Sequence, residues 1–159
     1  MNILALDCGT KTGWATSVDG KIESGMQDFT KRRGESNGVM FLRFNAWLRE
    51  MCGMIGAGDI AVYERAHHRG GAATEIGVGL ATRVMEYATE VGSEYMAVHS
   101  ASIKKHVTGN GRASKKDIMD WFTTTTGKQP IDDNESDAMA LLYYTLNEMK
   151  EPLPTNDKP

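Results

Sequence analysis

Ile3-Leu4-Ala5-Leu6-Asp7-Cys8-Gly9-Thr10-Lys11-Thr12-Gly13-Trp14-Ala15 is the stretch whose reading decides the fold. The apolar run at 3–6 has the character of a short strand buried on both faces. It leads directly into a carboxylate, Asp7, then into a glycine that permits a tight turn, then into a second apolar run opening at Gly13-Trp14. A carboxylate at the end of a buried strand is costly unless it is paired, hydrogen-bonded or bound to metal. Taken alone, a D-x-G pattern fits an aspartate that caps its own turn. Its meaning depends on what the remaining chain supplies.

Working outward, residues 12–18 and 21–28 read as two strands joined at Asp19-Gly20, a dipeptide suited to a type I′ hairpin turn. With the first strand they make an antiparallel meander. Residues 31–38 are polar and form a loop. From Val39 the apolar residues Met40, Phe41, Phe44, Trp47, Leu48 and Met51 recur at helical spacing, which predicts an amphipathic helix contributing to the core and offering a dimer contact. Ile60-Ala-Val-Tyr63 is a short strand that again ends in an acid, Glu64, followed by a basic, glycine-containing loop at 65–71. A helix is expected over 72–91, with small residues on one side as a second interface candidate, and a strand over 95–98. A short helix then starts at Ser100 or Ser102 with the serine as its cap. After a loop at 107–111, residues 114–126 form a helix with Lys115 in its first turn. Pro130 breaks the chain, and Asp132-Asp133-Asn134 caps a last helix through Met149. The expected fold class is α/β: a mixed five-stranded sheet, an antiparallel three-strand meander plus parallel strands, flanked by helices. Residues 1–150 make a single domain, and the proline-bearing 151–159 a flexible tail.

Composition limits the function. Apolar residues are 40% and charged residues 25% of 159, a soluble balance, and no apolar run approaches the ~20 residues that span a bilayer. No membrane partner is expected. The start has no signal-peptide pattern, so the expected location is the cytoplasm, or the host-cell cytoplasm if the chain is virally encoded. Cys8 and Cys52 lack metal-ligand spacing and read as reduced thiols. The net charge of −3 argues against a nucleic-acid binder, but the cations are bunched: Lys31-Arg-Arg33, Arg65 with His67-His68-Arg69, Lys104-Lys105-His106, and Arg112 with Lys115 and Lys116. Local patches outweigh the total. The first group reads as a solvated loop. In the 104–116 stretch, Gly109 and Gly111 let backbone amides approach a phosphate, and lysines at a helix N-terminus oppose its dipole, which points to an external anion.

The acids supply the chemistry. Asp7 and Glu64 end two strands; if those strands are neighbours, the side chains converge where α/β sheets place their ligands. Asp133 and Asp137, at i and i+4, share one face of the last helix, while Ala138, Leu141, Leu142 and Thr145 are free to pack on the sheet. Four gathered acids repel unless cations join them, and an all-oxygen donor set suits Mg²⁺ or Mn²⁺. Two such ions ~4 Å apart clamp the attacking and leaving oxygens of a phosphodiester.

At this point the sequence resembles the RuvC-type Holliday-junction resolvases of the RNase H-like, retroviral integrase-like nuclease superfamily. The residues that carry the resemblance are D-x-G-x-x-T-G-W-A at 7–15, the strand ending V-Y-E at 62–64, T-G-N-G-R-A-S-K at 108–115 and E-S-D-A-M-A-L-L at 135–142. Their order and spacing extend over most of residues 2–146. The resemblance implies an RNase H-like fold and a homodimeric endonuclease that uses two Mg²⁺ or Mn²⁺ ions per site to resolve four-way and other branched DNA. By position, Asp7, Glu64 and Asp137 match three metal-binding acids, and Lys104 and Lys115 match basic residues near the scissile phosphate. Lys105, Arg112, Lys116, Arg65, His67, His68 and Arg69 complete the expected DNA contacts. Two departures stand out. The fourth acid's usual place is occupied by Asn134, so Asp133 or Asn134 is the fourth ligand. Where relatives carry aromatics after the second acid, this chain has His67-His68-Arg69, side chains able to stack on bases. Two other readings stay open: an actin-like phosphate-binding fragment, suggested by D-x-G-T at 7–10, and a non-catalytic junction- or RNA-binding module of the same fold.

Overall fold

The computed structural model describes residues 1–51, 53–66 and 70–150. Cys52, His67, His68, Arg69 and the tail at 151–159 lie outside the described residues. β1 (Ile3–Asp7) is the middle strand of a five-stranded sheet in the order β3-β2-β1-β4-β5. Ile3, Leu4, Ala5 and Leu6 are at most 1% exposed, as a strand covered on both faces requires. β2 (Lys11–Val18) and β3 (Lys21–Asp28) complete the antiparallel meander. The turn between them has Asp19 at φ 51° and Gly20 at φ 81°, the positive pair a type I′ turn needs. β4 (Ile60–Glu64) runs parallel to β1, and β5 (Glu94–Val98) runs parallel to β4 at the edge.

Helices cover both faces. On one, α1 (Asn37–Glu50) buries Met40, Phe44 and Leu48 at i, i+4 and i+8 beside α2 (Ala72–Val91), over Leu4, Leu6, Ala61 and Tyr63 of the sheet. A Cβ on Gly79 of α2 would come within 2.8 Å of the Phe41 ring, so the glycine is what lets the two helices close. On the other face, α3 (Ser100–Thr108), α4 (Lys115–Thr126) and α5 (Asp133–Lys150) pack over Ile3, Ala5, Ala15 and Val62. Within the described residues no helix is long and apolar enough to cross a membrane.

Three details differ from the sequence reading. α1 begins at Asn37, because the Ser36 hydroxyl caps it by accepting from the Val39 amide. α3 is capped by His99 without any side-chain cap bond, and Ser100 is its first helical residue. α3 also runs through Val107 and Thr108 and stops at Gly109, whose φ of 81° ends the helix in a left-handed cap.

Candidate active site

Strand alternation and one helix contact build the site. In the parallel β1/β4 register, Ala5 stands beside Val62, so Asp7 and Glu64, each two residues further on, leave the sheet on the same face and at the same end. Asp7 also pairs across the antiparallel ladder with Gly13. Gly13 is where α5 comes down. A Cβ there would collide with the Asn134 carbonyl and lie 2.9 Å from the Glu135 amide nitrogen. The missing side chain seats the first turn of α5 directly on β2, next to Asp7.

Two buried polar contacts hold that seat. Glu135, 5% exposed, accepts from the Ser24 hydroxyl of β3 at 2.7 Å and from the Ile131 amide at 2.7 Å. Asp132 accepts from the Glu135 amide at 3.0 Å, the N-cap bond of the helix. With Glu135 turned toward the sheet, Asp133 and Asp137 face the strand ends. Thr12 closes the turn after Asp7: its hydroxyl donates to the Gly9 carbonyl at 2.7 Å.

The outcome is a cluster of three carboxylates, Asp7, Glu64 and Asp137, each offering an oxygen within 4.8 Å of the others. All three residues are half-buried. The Asp7 carboxyl is held well above the usual carboxylate range, first by burial and then by the charges of Glu64 and Asp137. Asp137 is pushed up to about 7 by burial, with Glu64 and Asp133 adding to the rise and Lys104 and Lys115 opposing it. The neighbouring Cys8 thiol is pushed up by burial and by the charge of Asp7, which keeps it protonated and unreactive. Carboxylates that resist ionisation because they crowd one another form an all-oxygen donor set for a hard divalent cation, and the residues present fit such an ion.

Asp133 lies close enough to raise the pKa of both Asp7 and Asp137, but its carboxylate is paired with Lys115, Nζ to Oδ2 3.3 Å. That pair lifts Lys115 above its ordinary value. Asn134 turns its amide back to donate to Asp132 at 3.1 Å. Two recesses flank Glu64. One, of about 180 Å³, is lined by Lys104, Lys115, Ser100 and Asp137. The other, of about 300 Å³, is lined by Asp7, Cys8, Arg65 and the first turns of α2.

The remaining sequence candidates are dispersed. Lys116 pairs with Asp120 on the outer side of α4 at 3.1 Å. Lys105 and Arg112 are exposed and line neither recess. Gly109 does not offer its amide to a phosphate as expected, because that amide donates to the Lys105 carbonyl at 2.8 Å to end α3. Sequence reasoning missed Gly13 as the seat of α5, Glu135 as its brace and His99 as a partner of Arg65. A glycine inside a strand is a signal of close backbone approach; the other two carry no comparable sequence signal.

No protein-family model matches the chain, and no curated protein matches it in sequence. Among solved structures it is similar to RuvC of Thermus thermophilus, at 18% identity and a TM-score of 0.71, over 94% of this chain and 97% of that one. A structure of T. thermophilus RuvC in complex with a Holliday junction substrate aligns at 18% identity and a TM-score of 0.72, over 94% of each chain. With its mixed sheet order, its helices on both faces and these neighbours, the chain has the RuvC-type, RNase H-like fold.

Proposed function

We propose that this protein is a divalent-metal-dependent endonuclease that hydrolyses phosphodiester bonds in branched DNA, four-way junctions foremost, and that it works in the cytoplasm as a single-domain homodimer. The observation that carries this reading is the meeting of three carboxylates from β1, β4 and α5 beside two lysines. A protein of the same fold holds a four-way junction in its solved structure, which supports the choice of substrate.

In this reading Asp7, Glu64 and Asp137 hold Mg²⁺ or Mn²⁺, two ions per site, with Asp133 as fourth ligand and Asn134 as its alternative. When bound, the ions offset the carboxylate charge, activate a water and stabilise the leaving 3′ oxygen. The chain's own residues do the remaining work. Asp7, within reach of both Glu64 and Asp137, would contribute to both halves of the site. Lys115 and Lys104 reach the phosphoryl oxygens on which charge builds in the transition state. Lys115 exchanges Asp133 for that phosphate. The half-buried floor limits the water around the reacting group. A two-fold junction calls for a two-fold assembly. Leu42 of α1, 69% exposed, and Val78 of α2, 38% exposed, are apolar side chains that such an assembly would cover.

The test is cleavage of a synthetic four-way junction by the wild type and by Asp7→Asn, with Mg²⁺, Mn²⁺ or EDTA. The wild type should cut only with metal, and the variant should bind the junction and leave it intact. Equal cutting by both would overturn the assignment, and metal-independent binding without any cutting by the wild type would leave the non-catalytic module in its place.

A further inference from the structure

Arg65, at the rim of the recess beside Glu64, makes a side-chain contact that neither the sheet nor the helices require. Arg65 Nη1 lies 3.0 Å from His99 Nε2. The two residues are held side by side by the backbone: the Arg65 amide donates to the Val98 carbonyl at 2.8 Å, extending the β4/β5 ladder one step past Glu64. His99 is fixed in turn at the start of α3, where its carbonyl accepts from the Ser102 and Ile103 amides at 3.1 and 3.3 Å. An N-cap position favours Ser, Thr, Asp or Asn, whose side chains accept from the first turn. The imidazole here makes no such bond. Capping therefore does not account for a histidine at this position, whereas the contact with Arg65 does.

The chemistry of the contact is one-sided. Arginine only donates, so Nε2 accepts and His99 carries its proton on Nδ1. Only one of the five guanidinium N–H groups is thereby used, and among the described residues Arg65 forms no salt bridge with a carboxylate. Arg65 is exposed and its residue lines the recess with Asp7 and Glu64, and the donors left over on its planar fork suit a ligand that accepts from two of them, as a phosphodiester does.

We infer that Arg65 and His99 act as one unit, a seat for a single DNA backbone phosphate on the side of Glu64 opposite Lys104 and Lys115. Arg65 makes the contact, and His99 is a positioning residue that keeps the guanidinium from folding away. The scissile phosphate then has basic residues on both flanks, and the strand is gripped on each side of the cut. The inference rests on the nuclease reading above and deepens it.

The experiment measures junction binding in EDTA across a series of salt concentrations, for wild type, Arg65→Ala, His99→Leu, His99→Gln and the Arg65→Ala/His99→Leu double variant. Arg65→Ala should weaken binding about tenfold and reduce the slope of log affinity against log salt by about 0.9. His99→Leu should reproduce part of that loss. His99→Gln, which retains an acceptor, should restore it, and the double variant should bind no worse than Arg65→Ala alone. A purely structural histidine would instead lower the melting temperature and gain nothing from glutamine. Additive losses in the double variant, or variants that bind with the wild-type slope, would overturn the inference while leaving the nuclease reading intact if wild type still cuts. A wild type that neither binds nor cuts a junction would remove both.

Discussion

The α-carbon of Gly13 lies so near the Asn134 carbonyl that even a methyl group on it would collide with the helix backbone. A sheet residue with no side chain is therefore what brings α5, and with it Asp137, to Asp7. Gly13→Ala should force α5 off β2. Because the obstacle is helix backbone, the strain has no cheap escape, and a loss of about 2–4 kcal/mol is expected. Thermal or urea unfolding measures it, and junction cleavage by whatever remains folded should fall more steeply than the folded fraction.

Asp7→Asn separates charge from shape. The amide fills the same volume, stays neutral without taking up a proton, and lacks the anionic oxygen a hard cation would need. In metal-free buffer the variant should be at least as stable as wild type, since folding no longer has to hold a raised carboxyl among other acids. Cleavage should fall about a thousandfold or more. Unfolding curves in EDTA and a junction-cutting time course check the two halves.

Metal-free stability should respond to pH in the direction set by the raised carboxyls. Asp137, at about 7 in the folded protein, holds a proton that the unfolded chain has already released above its ordinary value. Between those two values the folded state binds more protons, so stability falls as pH rises from about 4 to about 7. Asp7, raised as well, acts with the same sign. The expected loss is of the order of 1–3 kcal/mol, read from melting temperatures in EDTA. Asp137→Asn should flatten the profile, and Mg²⁺ should restore stability near pH 7 with release of protons on binding.

Lys115 and Asp133 make a pair exposed on the lysine side, with side-chain exposures of 81% and 31%. Solvent screening leaves such exposed pairs little to contribute to stability. Lys115→Ala should therefore leave the unfolding midpoint almost unchanged while slowing cleavage about a hundredfold, if the ammonium stabilises the transition-state phosphate. A matched loss of stability and activity would instead assign the lysine to the fold.

Periodicity and turn chemistry made the element order readable. The 3–6 run, Asp19-Gly20, the helical spacing from Met40 to Leu48 and the strand ending at Glu64 each encode their structure locally. The meeting of Asp7, Glu64 and Asp137 was legible because strand ends and an i, i+4 helix face leave few ways to arrange them. What the sequence concealed depends on tertiary contact. Glu135 and Asp133 look alike in a run of acids, yet one braces the sheet and the other pairs with a lysine. Serines beside α3 suggested a serine cap, but the chain register puts His99 there. The Gly109 amide seemed open to a phosphate because helix length is set by packing, and α3 extends far enough to use it.

The carboxylates that form the cluster come from the first strand, the fourth strand and the final helix. On a ribosome, Asp7 and Glu64 emerge long before the residue that must join them. A nascent chain consequently lacks one wall of the carboxylate cluster until α5 has docked over Gly13. Assembly order thus leaves a partial chain without its complete set of carboxylate donors.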